Sequence, residues 1–110
     1  MTYNQKLQSV KTALTGISKL KVYHYFAPAG HPDPYVVWQE TGEDSSLEAD
    51  NVKASYALTG SIDLYTKTEF DPFIDSIFLA LNTAGIGFAL ESVQYEDDTK
   101  YIHYTWTFWV

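Results

Sequence analysis

The feature that most constrains the fold is an alternation of apolar and polar side chains in two segments, residues 55–66 and 101–110. The alternating apolar set is Leu58, Ile62 and Leu64 with Gly60 in the first segment, and Ile102, Tyr104, Trp106, Phe108 and Val110 in the second. Successive side chains of a strand point to opposite faces. Each segment therefore predicts a strand with one face in a core and the other in water.

Two helices are predicted to cover that sheet. Residues 71–84 carry an apolar stripe at spacings of three and four, and Asp71 and Gly85 are typical of a helix start and a helix stop. Residues 3–17 carry a narrower stripe, and residues 2–5 have the spacing of a capping box. The first helix is therefore expected on a surface, and the second directly against the sheet.

Three further strands complete the sheet. Residues 21–26 and 35–40 are rich in β-branched and aromatic side chains and are separated by a proline-rich loop. Residues 88–95 are predicted to form a strand. A bulge at residues 91–92 would turn its four apolar side chains, Phe88, Leu90, Val93 and Tyr95, toward the core. With neighbouring strands joined by hairpins, the expectation is one α+β domain over residues 1–110. Its order is α-β-β-β-α-β-β, with an antiparallel sheet of about four to five strands and both helices on one face.

Charge is divided unevenly along the chain. Residues 1–32 contain four lysines and no acid (+4), and residues 33–110 contain three lysines and fourteen acids (−11). Arginine, which reads guanine edges and grips phosphate bidentately, is absent. We therefore do not expect sequence-specific nucleic-acid binding. Two interpretations remain open: the basic front of one copy packs against the acidic body of another, or the lysines form a solvated face of one helix.

Several classes of site and location are excluded by what the sequence lacks. Cysteine is absent, which excludes disulfides, thiolate metal sites and thiol nucleophiles. No run of about 18 apolar residues suggests a membrane span, and residues 1–6 do not resemble a signal peptide, so a soluble cytoplasmic protein is expected. His24, His31 and His103 lack a neighbouring histidine at metal-ligand spacing. We expect no catalytic residue, no metal and no cofactor.

Residues 41–51 are acidic and contain one large apolar side chain, Leu47. Such a segment cannot bury itself, so it predicts an exposed loop or a protruding arm. A plain solvated loop and an arm that docks on a neighbour or lines a channel both remain open. The candidate inter-subunit or channel-facing residues are Glu43, Asp44, Leu47, Glu48 and Asp50, with Lys6 and Lys11 as basic counterparts.

Aromatic residues exceed the needs of a core of this size. The chain has nine tyrosines and three tryptophans, residue types enriched at interface centres. Those expected on the face opposite the helices are Tyr23, Tyr25, Tyr65, Tyr101 and Trp109. That face is either an interface or an exposed sheet with cross-strand aromatic pairs.

Three segments resemble small tail proteins encoded in the morphogenesis region of long-tailed bacteriophages and prophages, the tail-terminator and head-to-tail joining proteins. The segments are residues 58–67 (LTGSIDLYTK), 70–72 (FDP) at the start of a helix, and 92–104 (SVQYEDDTKYIHY). The resemblance extends over nearly the whole chain, including the acidic arm. It has no catalytic signature and fixes no individual binding residue.

The resemblance implies a structural α+β subunit that assembles with itself into a ring, usually of six. Its partners would be the tail tube and head-completion proteins, and DNA would pass without specific binding. The protein would belong to the virion tail and reside in the host cytoplasm during assembly. One alternative is a non-catalytic, ferredoxin-like ligand-sensing or regulatory domain. A pocket buried between helices and sheet would favour this alternative. Another is a small hydrolase or isomerase that uses His103 or His24.

Overall fold

The computed structural model describes the backbone of residues 1–49 and 52–110, and their side chains except at 45–49 and 52–55. The elements are α1 (Tyr3–Thr15), β1 (Lys21–His24), β2 (Tyr35–Ala49), β3 (Val52–Thr66), α2 (Phe73–Thr83), β4 (Gly87–Tyr95) and β5 (Ile102–Trp109). This order confirms the predicted α+β class and the predicted succession of helices and strands.

The five strands form one sheet in the order β1-β2-β3-β5-β4. All neighbours are antiparallel except β1 and β2, which run parallel. The expectation that every neighbouring pair is joined by a hairpin is therefore wrong for this pair. Because β1 spans only 4 residues, the loop of residues 25–34 is long enough to carry the chain back to the starting end of the sheet before β2 begins.

Both helices cover one face of the sheet, and the core lies between them. The cross-strand partners Trp38, Ile62 and Trp106 are buried in the centre. The other buried apolar side chains of this cluster are Val10, Leu14, Leu20, Val36, Leu64, Ile77, Leu81, Ile86 and Phe108. The opposite face of the sheet carries no helix and is called the open face below.

The local signals at the helix ends act as predicted. Thr2 and Gln5 form the capping box of α1. The Asp71 carboxylate accepts a hydrogen bond from the Phe73 backbone N–H at 2.9 Å, and Gly85 adopts a positive φ of 72° just after α2. α1 ends two residues earlier than predicted, and α2 begins two residues later and ends one residue earlier than predicted. Differences of one or two residues are usual at helix ends.

Residues 41–49 of the acidic segment are not a loop, because β2 extends through them and pairs with β3; residues 50–51 lie outside the described residues. Each strand is 15 residues long, and at about 3.4 Å per residue such a strand spans about 50 Å. The longest dimension of the molecule is 51 Å, against 26 and 25 Å for the others. The prediction of a loop was wrong because a two-stranded ladder satisfies its backbone by pairing alone, without burying side chains. The alternative of a protruding arm describes the segment correctly.

Candidate assembly surface

The hairpin arm, residues 41–49 and 52–58, presents acidic side chains near its root. Glu43 and Asp44 are exposed, and their Cα partners across the ladder are Leu58 and Ala57. Leu47 and Glu48 lie on paired backbone, but their side chains are outside the described residues. Asp50 lies outside the described residues altogether. The structure therefore places Glu43 and Asp44 on one projecting ribbon.

Glu40 immediately precedes the arm, and its side chain joins three elements of the fold. Its carboxylate accepts hydrogen bonds from the hydroxyls of Tyr25 (2.6 Å) and Tyr3 (3.1 Å), and its Oε1 lies 2.8 Å from His24 Nε2. Burial alone would raise the pKa of Glu40, but these hydrogen bonds outweigh it and lower the pKa to about 2. Glu40 thereby ties α1 and the end of β1 to β2.

Tyr25 was expected on the open face and instead lies on the helix side. Its φ of 77° ends β1, and its ring stacks on His24 at 3.7 Å between centroids. His24 in turn stacks on the buried Trp38 at 3.9 Å. The turn in the backbone therefore redirects Tyr25 toward Glu40, and the hydrogen bond to that carboxylate raises the pKa of Tyr25 to about 12.

The two lysines singled out from the sequence lie on α1 in different settings. Lys6 Nζ donates to the backbone oxygen of Val110 at 3.0 Å and to that of Tyr56 at 3.5 Å. It lies 5.0 Å from the centre of the Tyr56 ring. Lys11 is exposed and borders a shallow cavity beside His24. Lys6 therefore braces the root of the arm, whereas Lys11 remains presented to solvent.

Aromatic rings gather at one end of the open face. Tyr35 and Tyr65 stack across β2 and β3 with centroids 4.9 Å apart, and Tyr65 stacks on His103 at 4.2 Å. Tyr101 meets both tyrosines edge-on at 5.9 Å. Burial, with the nearby Asp63 charge, raises the pKa of Tyr65 to about 12. These are the cross-strand aromatic pairs weighed from the sequence.

His103 lies between two carboxylates on this face. Its Nε2 is 2.8 Å from Asp63 Oδ1, and its Nδ1 is 3.4 Å from Glu96 Oε2. The Thr105 hydroxyl donates to the same Asp63 oxygen at 2.8 Å and lies 3.2 Å from the same Nε2. In a nucleophile–histidine–acid triad the hydroxyl and the acid bind opposite ring nitrogens. Here Thr105 and Glu96 do lie at opposite ring nitrogens, but the Thr105 hydroxyl donates its proton to Asp63 and not to the His103 ring. His103 therefore does not accept the proton of this hydroxyl, as the histidine of a triad would.

The sequence had not identified Asp63 as a partner of His103. The two residues are 40 positions apart, and only the register of β3 with β5 brings them together. Within residues 1–49 and 52–110, no group of three or more His, Asp or Glu side chains is arranged to hold a metal ion.

A groove of about 930 Å³ runs between α1 and α2 on the outer surface. Its lining comes from the two helices and their flanks, with Ala13, Ile17 and Leu79 among the apolar contributors. Among the residues that the structure describes, no strand residue lines it. It is therefore a surface groove, not a pocket enclosed between helices and sheet.

The edge strands of the sheet are β1 and β4. The predicted bulge in β4 is present as a register shift between Leu90 and Ser92. It places Leu90, Val93 and Tyr95 on the helix side as expected, but they are 44%, 49% and 58% exposed. Their predicted burial was wrong because α2 packs on β4 at Phe88, where Phe78 lies 5.2 Å away between ring centroids.

Comparison with protein-family models and with curated proteins finds no match for this chain. Neither α1 nor α2, the helices in the described parts of the chain, has the length and apolar character needed to cross a membrane.

Proposed function

We propose that this protein is a structural, non-catalytic subunit of a long-tailed bacteriophage or prophage. Its copies assemble into a ring, of six subunits by the resemblance given above, that terminates the tail tube or joins the tail to the head. Its place is the virion tail, after assembly in the host cytoplasm. Its partners are other copies of itself, the tail tube and the head-completion proteins.

The hairpin arm is the observation that carries this proposal. Strands of globular proteins are usually about 3–10 residues long, whereas β2 and β3 are each 15 residues long and stay paired through residues 41–49 and 52–58. Glu43 and Asp44 on this ribbon are exposed. The length of this ribbon is explained if it reaches a neighbouring subunit.

The negative charge of the protein favours a channel through which DNA passes without binding. The net charge is −7 and arginine is absent. Arms repeated around an axis would surround a channel with carboxylates, which repel the phosphate backbone and let it slide.

The first test is assembly. We expect native mass spectrometry and light scattering to show a ring at high protein concentration or in the presence of tail tubes, and electron microscopy to place it at the end of the tube. A protein that stays monomeric up to about millimolar concentration, and also beside tail tubes, would sink the proposal. Exposed ion pairs contribute little each, so concentration must be varied widely.

The second test reverses charge on the arm. In Glu43→Lys/Asp44→Lys we expect normal folding and ring formation, together with new DNA binding. Two phosphate contacts imply an affinity that falls about tenfold between 50 and 200 mM salt. The matched control is Glu69→Lys/Asp75→Lys, which makes the same change in net charge at exposed positions away from the arm. Equal DNA affinity in the two variants would mean that net charge acts and the arm does not line the channel.

The alternative is a non-catalytic, ferredoxin-like ligand-sensing or regulatory domain. The groove between α1 and α2 has a volume of about 930 Å³, which is within the range of small-molecule sites, but it is open at the surface and not enclosed between helices and sheet as this alternative predicts. A sensor would remain a monomer or dimer beside tail tubes and would gain thermal stability with a small apolar ligand. Leu79→Lys would abolish that gain.

A further inference from the structure

We propose that the ring is closed by the sheet itself, with β4 of one subunit pairing antiparallel with β1 of the next. This inference rests on the proposed ring and names the surfaces that make it. The first observation is that both are edge strands of the sheet. Among the described residues, neither β1 nor β4 has a strand partner on its outer edge.

The outer edge of β4 is unusually exposed for an edge strand. It runs for 9 residues, and Leu90, Val93 and Tyr95 on its helix side are about half exposed. An apolar, unpaired strand edge of this length promotes association with another strand. Native proteins usually shield such an edge, and a second subunit would shield this one.

Strand direction favours β1 as the partner. β1 runs parallel to β2, and the pairs β2–β3, β3–β5 and β5–β4 are each antiparallel, so β1 and β4 run in opposite directions. Rotation about a ring axis along the strands preserves each strand's direction. The β1 of the next subunit therefore meets β4 in the antiparallel sense, which is the more stable pairing per residue.

The strand register places complementary residues of β1 and β4 in the same row across the sheet. Lys21 of β1 is connected row by row through Tyr35, Tyr65 and His103 to Gln94 of β4. Lys21 of the next subunit therefore lies near the end of β4, where the acidic turn of residues 96–98 begins. In the following row Val22 corresponds to Val93, and both face the helix side.

Charge makes this contact specific. Lys19 and Lys21 are exposed at the start of β1, and Asp97 and Asp98 are exposed in the turn after β4. No ion pair involves Lys21 or Asp97 within the described part of the chain. Pairing of β4 with β4 across a two-fold axis would instead bring Glu91 beside its own copy, and like charges directly opposite are destabilising.

The experiment uses two opposite charge reversals, Lys21→Glu and Asp97→Lys. Each variant alone puts like charges on both sides of every interface, and we expect each to raise the concentration needed for assembly about tenfold. Mixed in equal amounts, they can alternate around the ring with opposite charges at every interface. The mixture should therefore assemble as well as the wild-type protein.

A second variant tests the strand edge without charge complementarity. Val93→Lys should block assembly, because lysine on an edge strand prevents pairing. The matched control Leu79→Lys replaces a side chain that is 67% exposed on α2 and should leave assembly unchanged. In the ring, hydrogen exchange of residues 87–95 should be slower than in the monomer.

The outcomes separate this inference from the proposed function. If the wild-type ring forms and all three edge variants assemble equally well, the ring stands and pairing of β1 with β4 is overturned. If Val93→Lys blocks assembly but Lys21→Glu has no effect, β4 pairs with itself or with another protein, which also overturns it. Wild-type protein that never assembles removes the ring and this inference together.

Discussion

Replacing Glu40 with glutamine is the most informative single change for the fold. The carboxylate accepts hydrogen bonds from Tyr3 and Tyr25 and contacts His24, so it joins α1, the end of β1 and β2 at one point. Glutamine keeps the size and removes the charge. We expect Glu40→Gln to fold and to be less stable than the wild-type protein at pH 7.

The magnitude follows from the pKa of Glu40, which falls from 4.5 to about 2 on folding. One pKa unit corresponds to about 1.4 kcal/mol, so the upper limit is about 3.5 kcal/mol. The Glu40 side chain is 12% exposed, but Tyr3 and Tyr25 are 46% and 53% exposed. Solvent screening therefore reduces the expected loss to about 1–2 kcal/mol. For a domain of this size that is about 5–10 °C in melting temperature.

The sign of the pH dependence is fixed by the direction of this shift. A folded-state pKa below the unfolded value stabilises the protein fully above about pH 5, and this contribution disappears as pH falls from 4.5 to about 2. Wild-type protein and Glu40→Gln should therefore differ at pH 7 and converge near pH 2. Urea and thermal melts followed by circular dichroism at pH 7, 4 and 2.5 measure the difference.

The matched control for this series is Glu69→Gln, an exposed carboxylate between β3 and α2, which should change stability by less than about 0.5 kcal/mol. Two results would refute the reasoning. One is a Glu40→Gln protein as stable as the wild type at pH 7. The other is a difference that stays constant down to pH 2.5, because it would show a loss of packing and not of a charged hydrogen-bond acceptor.

Three further predictions concern the core, the sheet and the tyrosines. Ile77→Ala should lower the free energy of unfolding by about 2–5 kcal/mol because Ile77 is fully buried, whereas Leu79→Ala should cost far less; urea melts in the reverse order would show that the face of α2 is misassigned. Gly60→Ala should cost about 1–3 kcal/mol because its Cβ would clash with a strand carbonyl and a core ring. Gly42→Ala in the same hairpin meets nothing within 4 Å and should be tolerated; equal melts would contradict this. Because the pKa of Tyr25 is raised to about 12, the contribution of its hydrogen bond to the free energy of unfolding should be intact up to pH 10 and should be lost toward pH 12. In an ultraviolet titration, Tyr25→Phe should show one fewer tyrosine ionising near pH 12 than the wild-type protein.

Signals that act within a few residues were readable from the sequence. The capping box at Thr2 and Gln5, the acceptor role of Asp71 and the positive φ of Gly85 each depend on the backbone beside them. The apolar stripes of α2 and β5 follow from the period of one element. The order of elements and the α+β class could therefore be predicted.

Relations between distant segments were not readable in the same way. The parallel pairing of β1 with β2 and the contact of Asp63 with His103 depend on register, which is set by packing of the whole sheet. Glu40 looks like one more acid of the arm until the positive φ of Tyr25 turns that ring toward it. Composition cannot distinguish a solvated acid from one that anchors three elements.

The features of the candidate assembly surface also fall into those readable from local sequence and those set by the tertiary structure. The acidity of residues 41–51 was evident from the sequence, but the pairing of residues 41–49 with β3 was not. The alternation that points Leu90 and Val93 to the helix side was also readable. Their exposure was decided by where α2 ends its contact with the sheet. Periodicity along a chain determines which way a side chain faces, and only the arrangement of the other elements determines whether anything covers it.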